Sequence, residues 1–253
     1  MGTAISWPRL GSRWPIEEHV MSRIELPGPS TYVPVARSFL YRSLSLGFAR
    51  PTRDIHVALR GGRFMQELWD KLSLIAYMEP LLSERDPSIR WVSENMKSLS
   101  FEDFEASYTL GLKSTASSSR LSGERRIREG EGTGDTTIAE LRKCYELFGL
   151  NTKGEEVPCG HHDHLRAKLE FLHYLTLKEF QAGSHRDKFK LLGLLKTQKD
   201  FVERHLISHL PRCLTELRKS PGVPAVYTEL TRIASEFVSR DVDWITLRIW
   251  EES

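Results

Sequence analysis

Little in this sequence points to a disulfide framework, a membrane span or a surface of one charge sign. Three cysteines among 253 residues, an odd number without regular spacing, exclude a disulfide-stapled domain and suit a reducing compartment. No apolar run approaches the roughly 18 residues that a membrane span requires. Residues 1–23 carry charges and two prolines but no apolar stretch of the kind an export signal has. The 36 basic and 34 acidic residues leave a formal charge of +2, too even for an obvious nucleic-acid binder. No glycine-rich phosphate loop with its lysine is present, and no serine or cysteine sits in a nucleophile elbow. What is present is ample core material, 40% hydrophobic against 28% charged residues. That excludes wholesale disorder. At roughly 100–200 residues per domain, the length fits one large domain or two intimately packed lobes. These features read as a soluble, cytoplasmic globular protein.

Five of the 12 prolines fall within the first 34 residues, at Pro8, Pro15, Pro27, Pro29 and Pro34. Proline lacks a backbone donor and pushes its predecessor out of the helical region, so residues 1–34 read as an extended arm. Trp7 and Trp14 either dock that arm on the body or ride on a loose tail. From Val35 the spacing becomes helical: Val35, Phe39, Leu40, Leu44 and Phe48 share one face, and Pro51 ends the run. Gly61-Gly62 break the chain before a second stripe, Phe64, Met65, Leu68, Trp69, Leu72, Ile75 and Ala76, which Pro80 closes. Asp86-Pro87-Ser88 resembles a helix start, and Phe101, Phe104, Tyr108 and Leu112 give another face.

Residues 113–137 differ in kind. Ser117-Ser118-Ser119 and four glycines interleave with Arg120, Arg125, Arg126 and Arg128, and almost nothing there is suited to burial. The stretch reads as a long mobile loop between two helical halves. The Arg125-Arg126 pair is not an export signal, because charges and glycines follow it in mid-chain; a solvated charged loop is the plain reading. Helical periodicity resumes with Ile138, Leu141, Tyr145 and Phe148, then Leu165, Leu169, Leu172 and Leu175. Phe189, Leu192, Leu195, Phe201, Leu206 and Leu210 follow, then Val226, Leu230, Ile233, Ala234 and Phe237. The tail from Trp244 to Trp250 alternates at period two and fits a short strand or a docked helix. Strand signals are otherwise missing, so the fold class is all-α.

One dense polar constellation stands out, Glu155-Glu156-Val157-Pro158-Cys159-Gly160-His161-His162-Asp163-His164, running straight into an apolar helix. Asp163 is placed to cap that helix, its carboxylate accepting from the free N–H groups of the first turn, with His164 inside the turn. Cys159, His161, His162 and His164 have the chemistry of metal ligands. Four candidates within six residues are nevertheless too crowded to converge as a closed tetrahedral site, and no second Cys/His pair lies at finger-like distance. A metal-binding enzyme or sensor built on Cys159–His164 is the alternative function; an exposed histidine-rich turn is the plain one.

The same segment resembles a family signature. Glu156-Val157-Pro158, then Asp163-His164-Leu165, then Leu169-Glu170-Phe171-Leu172-His173-Tyr174-Leu175 are similar to the motif of the TorD/DmsD/NarJ family of molybdoenzyme maturation chaperones. Cys159-Gly160-His161-His162 lengthens the gap within it. The stretch from Arg37 to Ser45 with Phe48 and Pro51 resembles the first helix of that family. Tyr145 and Phe148 before Gly149 resemble its Tyr-x-x-Phe-Gly lead-in, and Phe201, His205, Leu206, Leu210 and Pro211 resemble a later segment. The last core helix is matched by Val226, Tyr227 and Leu230.

The resemblance implies an all-helical, TorD-like bundle over residues 35–241, a single domain or two closely packed lobes joined by the long loop, with residues 242–253 as a tail. It implies a chaperone rather than an enzyme, needing no cofactor or metal of its own. The implied partner is the catalytic subunit of a molybdopterin enzyme of the DMSO reductase family, held by its N-terminal twin-arginine signal peptide while the cofactor is inserted. Nucleic acid and stable membrane insertion are not implied; a monomer or homodimer is. A twin-arginine leader joins two guanidinium groups to an apolar stretch, so its receptor needs carboxylates beside an apolar groove. Glu156, Asp163 and Glu170 are the candidate carboxylates, with Glu155 beside them, and His164 is a candidate for tuning binding near neutral pH. Trp69, Tyr145 and Phe171, with Phe64 and Leu165, are candidates for the groove, although core packing explains any one of them equally well.

Overall fold

The computed structural model describes residues 28–108, 133–150, 164–220 and 222–253, with side chains from 32 in the first segment and from 138 in the second. The described residues form α1 (Gly28–Gly47), α2 (Arg53–Arg60), α3 (Arg63–Leu72), a 3-10 helix (Ala76–Glu84), α4 (Arg85–Lys97) and α5 (Phe101–Ser107). They continue with α6 (Thr133–Leu147), α7 (Leu165–Ser184), α8 (Lys188–His205), α9 (His209–Lys219) and α10 (Ala225–Glu252). No strand occurs among them; Leu150 and His164 each make only an isolated bridge. The all-α expectation is met.

Helix starts follow capping chemistry. Thr52 accepts from the Ile55 N–H at the head of α2, Ser100 from the Asp103 N–H at the head of α5, and Asp187 from the Lys190 N–H at the head of α8. Gly62 joins α2 to α3 at φ +75°, and a Cβ there would lie 2.8 Å from Ser93 Oγ. Only glycine meets both demands comfortably.

The expectation of an extended arm fails over residues 28–34, because α1 already runs from Gly28 with Pro34 inside it; residues 1–27 lie outside the described residues. Pro29 falls in the first turn, where backbone N–H groups have no helical partner, so only Pro34 removes a helical hydrogen bond. The second apolar stripe also divides. The helix α3 stops at Leu72, and Ile75, Met78 and Leu81 are buried from the 3-10 helix that contains Pro80. The period-two tail is helix: α10 runs unbroken through Asp241 to Glu252. Residues 109–132, most of the loop read from the sequence, lie outside the described residues, and α6 begins at Thr133.

The longest packed seam joins α1 to α7; α8 covers another side of α7, and α10 packs on α8, α9, α4 and α1. Leu40, Tyr41, Leu44, Phe48, Trp69, Phe171, Tyr227 and Phe237 are fully buried along these contacts. Within this apolar body sits an ion cluster. Arg37 of α1 donates to Asp241 of α10, Glu179 of α7 and Gln198 of α8, and Tyr41 and Tyr77 donate to the same Asp241 carboxylate. The Arg37 guanidinium also lies 4.6 Å from the centre of the Trp244 ring. Burial works to lower the Arg37 pKa, but the facing carboxylates of Asp241 and Glu179 outweigh it, and the pKa is raised well above the usual arginine value. The cluster fixes the helical phase of α1 against α7, and the candidate site lies along the same two helices.

Candidate functional site at the start of α7

The helix α7 begins at Leu165, and its cap is His164 rather than Asp163. The His164 backbone is extended, and its Nδ1 accepts the Arg166 N–H at 3.2 Å. An unprotonated imidazole nitrogen supplies the acceptor expected from a carboxylate. The expectation of an exposed His164 within the first turn is corrected as well, since the side chain is fully buried. Glu155, Glu156 and Asp163, together with Cys159, His161 and His162, lie outside the described residues.

Beyond its cap, α7 is buried nearly all round, the pattern of a central helix. Leu165, Leu169, Phe171, Leu172 and Leu175 pack apolar surface, and Arg166, Lys168 and Glu170 are enclosed as well. Glu170 accepts from Arg42 Nη1 at 2.9 Å, and its second oxygen lies 3.8 Å from Arg166 Nε. Its carboxylate is therefore committed within the fold. Lys168 Nζ reaches the His205 carbonyl at 3.4 Å.

Four of the candidate residues come together around α7. His164, Glu170 and Phe171 lie on it, and Tyr145 of α6 meets Phe171 edge to face at 5.0 Å. Phe201 and Phe148 close on the same ring at 4.8 and 5.6 Å. Tyr145 and Phe171 thus form an aromatic core rather than an open groove wall in this state, with 2% and 0% of their surface exposed. Trp69 is not brought to this group. It is enclosed against α4, where Nε1 donates to Ser88 and Ser88 in turn donates to Glu229 of α10.

Three residues that the sequence reading did not single out complete the seam. Ser38 and Arg42 stand one turn apart on α1. They face His173 and Glu170, which with Arg166 form an i, i+4, i+7 stripe on α7. His173 Nδ1 lies 3.0 Å from the Ser38 carbonyl and 2.8 Å from its hydroxyl. Burial, helped by the nearby Arg42 cation, pushes the His173 pKa down to about 4, against the opposing pull of the Ser38 carbonyl. The stripe spacing is visible in the sequence, but the partner residues on α1 are not.

The described thiols are not reactive ones. Burial pushes Cys213 up to about 12 despite nearby Thr231 and Lys168, and it raises Cys144 too. Among the described residues no group of three or more His, Cys, Asp and Glu side chains could hold a metal ion. No described helix is long and apolar enough to cross a membrane.

Comparison with known proteins finds similarity to one family and to two curated relatives. Residues 120–215, a span reaching from before α6 into α9, match the family described as nitrate reductase delta subunit. A perchlorate reductase assembly chaperone protein of Dechloromonas aromatica is 27% identical over 213 residues, covering 83% of this chain and 89% of that protein. A selenate reductase assembly chaperone protein of Thauera selenatis is 31% identical over 137 residues, covering 51% of this chain and 65% of that protein. No solved structure matches significantly. This chain is thus similar to that family over residues 120–215, and both relatives are named as reductase assembly chaperones.

Proposed function

We propose that this chain is a cytoplasmic assembly chaperone for the catalytic subunit of a molybdenum-cofactor reductase of the DMSO reductase family. In this reading it holds the N-terminal twin-arginine region of that subunit at the turn into α7 while the cofactor is inserted. The observation that carries it is the likeness, over most of the chain, to a protein named as a reductase assembly chaperone. The chemistry of the site supports a binding role over a catalytic one. Burial raises the pKa of both described cysteines, Glu170 is engaged by Arg42, and His164 is used as a helix cap.

Asp163 and Glu156, which precede α7 in the sequence, are the carboxylates this reading assigns to the partner's guanidinium groups. Phe171 of α7 and Tyr145 of α6 supply the aromatic surface of this reading. For the apolar part of a leader to reach those rings, the α6 side has to move. Trp69 supports the α3–α4 side and, in this reading, contacts the client only if that side opens too.

The test is co-expression of the full chain with the catalytic subunit of a molybdenum-cofactor reductase from the same organism. Recovery of a complex that is lost when the subunit's N-terminal segment is deleted supports the reading. Equal recovery without that segment, or no complex at all, rejects it.

A further inference from the structure

We infer that residues 1–27, through Trp7 and Trp14, dock on an apolar end of the helical body formed by Phe189 at the start of α8 and by Leu247 and Trp250 near the end of α10. The occupant is this chain's own segment ahead of α1, and the surface is one that the proposed client site does not use.

Antiparallel packing builds this end. Gly47 of α1 faces Leu230 of α10, the Tyr41 and Phe237 rings are 4.9 Å apart, and Arg37 holds Asp241. Going back along α1 therefore means going forward along α10. Gly28 precedes Arg37 by as many residues as Trp250 follows Asp241, about 14 Å of helix in each case. The start of α1 and the last turns of α10 thus share one end of the body. Helix α8 starts there too, because Lys188 Nζ lies 3.9 Å from Glu252 Oε2. At this end Phe189, Trp250 and Leu247 expose 92%, 81% and 62% of their surface. Single exposed apolar side chains are ordinary; three large ones gathered at one end mark a surface that something covers.

What covers it follows from where the chain enters. Residues 1–27 join the body at Gly28, beside these side chains, and a tether of that kind raises local concentration to roughly the millimolar range. The segment also carries matching chemistry. Trp7-Pro8 and Trp14-Pro15 each join a large apolar ring to a residue that reduces the freedom lost on docking, and Arg9 and Arg13 stand between the two pairs. On the body, Asp243, Leu247 and Trp250 follow i, i+4, i+7 on one face of α10. Asp243 is exposed and pairs with no described cation. A tryptophan laid on Leu247 and Trp250 brings a neighbouring arginine to that carboxylate, and Phe189 meets the second ring.

Photo-cross-linking of the full chain tests this. Benzoylphenylalanine replaces Phe189, whose exposure lets the fold tolerate the change. The dilute protein is irradiated, and single chains are separated from cross-linked pairs before digestion and mass analysis. We expect cross-links within one chain to residues 1–27, falling several-fold when Trp7→Ala and Trp14→Ala are combined. Independently, trypsin should cut after Arg9 and Arg13 several-fold faster in the Leu247→Asp/Trp250→Asp variant than in the unaltered chain, at equal helix content by circular dichroism. Cross-links that join two chains, that reach only residues outside 1–27, that fail to form, or that ignore the tryptophan substitutions overturn the inference. So does an unchanged cleavage rate.

Discussion

Arg37 and Asp241, 204 residues apart in sequence, meet inside the protein with neither side chain touching water: Nε donates to Oδ1 at 2.6 Å and Nη2 to Oδ2 at 3.0 Å. The same guanidinium reaches Glu179 at 2.6 Å and Gln198 at 2.7 Å, so one side chain of α1 orders α7, α8 and α10 at once. A planar fork of five donors can satisfy three acceptor groups in this way; an ammonium cannot.

Removing one member of such a cluster leaves the others charged and unpaired in the interior. Arg37→Met is expected to cost about 3–5 kcal/mol, the usual penalty for breaking a buried ion pair from one side. Arg37→Lys should recover only a small part of this. Urea unfolding followed by circular dichroism measures both, and a midpoint for Arg37→Met within experimental error of the unaltered chain would show that the cluster does not stabilise the fold.

Acid should weaken the protein through its buried histidines. His173 and His205 are pushed down to about 4, in each case first by burial and then by a neighbouring cation, Arg42 for one and Lys168 for the other. Their folded pKa lies below the unfolded one, so the native state resists a proton that the unfolded chain takes up. The associated stability is complete above pH ~6.5 and drains away as pH falls towards 4. Burial works against ionisation of Glu229, but hydrogen bonds from Arg232 and Ser88 still hold it below the usual carboxylate value, so its contribution fades only at lower pH. Unfolding free energies at pH 7 and pH 5 therefore isolate the histidines. We expect the His173 share to be up to about 2 kcal/mol over that interval, and His173→Asn to shrink the pH dependence correspondingly.

Much of the architecture was legible because helices announce themselves by period. The stripes through Leu40 and Leu44, Leu68 and Leu72, and Leu169 and Leu172 are buried as read. Period also misled where it carries no information about partners. Phe189 continues the stripe of Leu192 and Leu195 on paper but stands 92% exposed on the far side of α8. Tyr145 and Phe171 have the composition of a groove and the burial of a core, a difference set by which helices cover them. Likewise the alternation from Trp244 to Trp250 lies on a helix whose inner face is marked by Asp241 and Ile245. The Arg37 cluster left no trace in sequence, since its charged members look like surface residues until four helices close on them.

Glycines separate by what a methyl group would meet. Gly193 lies within α8 with nothing inside 4 Å of an added Cβ, so Gly193→Ala should stabilise the protein by about 0.5–1 kcal/mol through helix propensity alone. At Gly47 the same Cβ would come within 2.7 Å of Leu230 Cδ1 and 3.4 Å of Phe64 Cζ. Gly47→Ala is therefore expected to destabilise despite sitting at a helix end. Thermal melts of the two variants should move in opposite directions; a shared direction would mean that the packing around Leu230 yields.

The two residues at the head of α7 should separate stability from recognition. His164 is buried and accepts the Arg166 N–H, so His164→Ala loses a cap worth about 0.5–2 kcal/mol and opens a gap in the core as well. Weaker client capture by that variant would say little about contact, because the whole turn is loosened. Asp163→Ala leaves the imidazole cap in place. If Asp163 meets the client's guanidinium groups, this variant should keep the unfolding midpoint of the unaltered chain while binding the client's N-terminal peptide several-fold more weakly. The pair is measured by chemical unfolding and calorimetry on the same preparations. An Asp163→Ala protein that binds at full strength removes this carboxylate from the site. One that melts as early as His164→Ala assigns it to the cap instead, because a residue that only contacts the client has no reason to hold the free chain together.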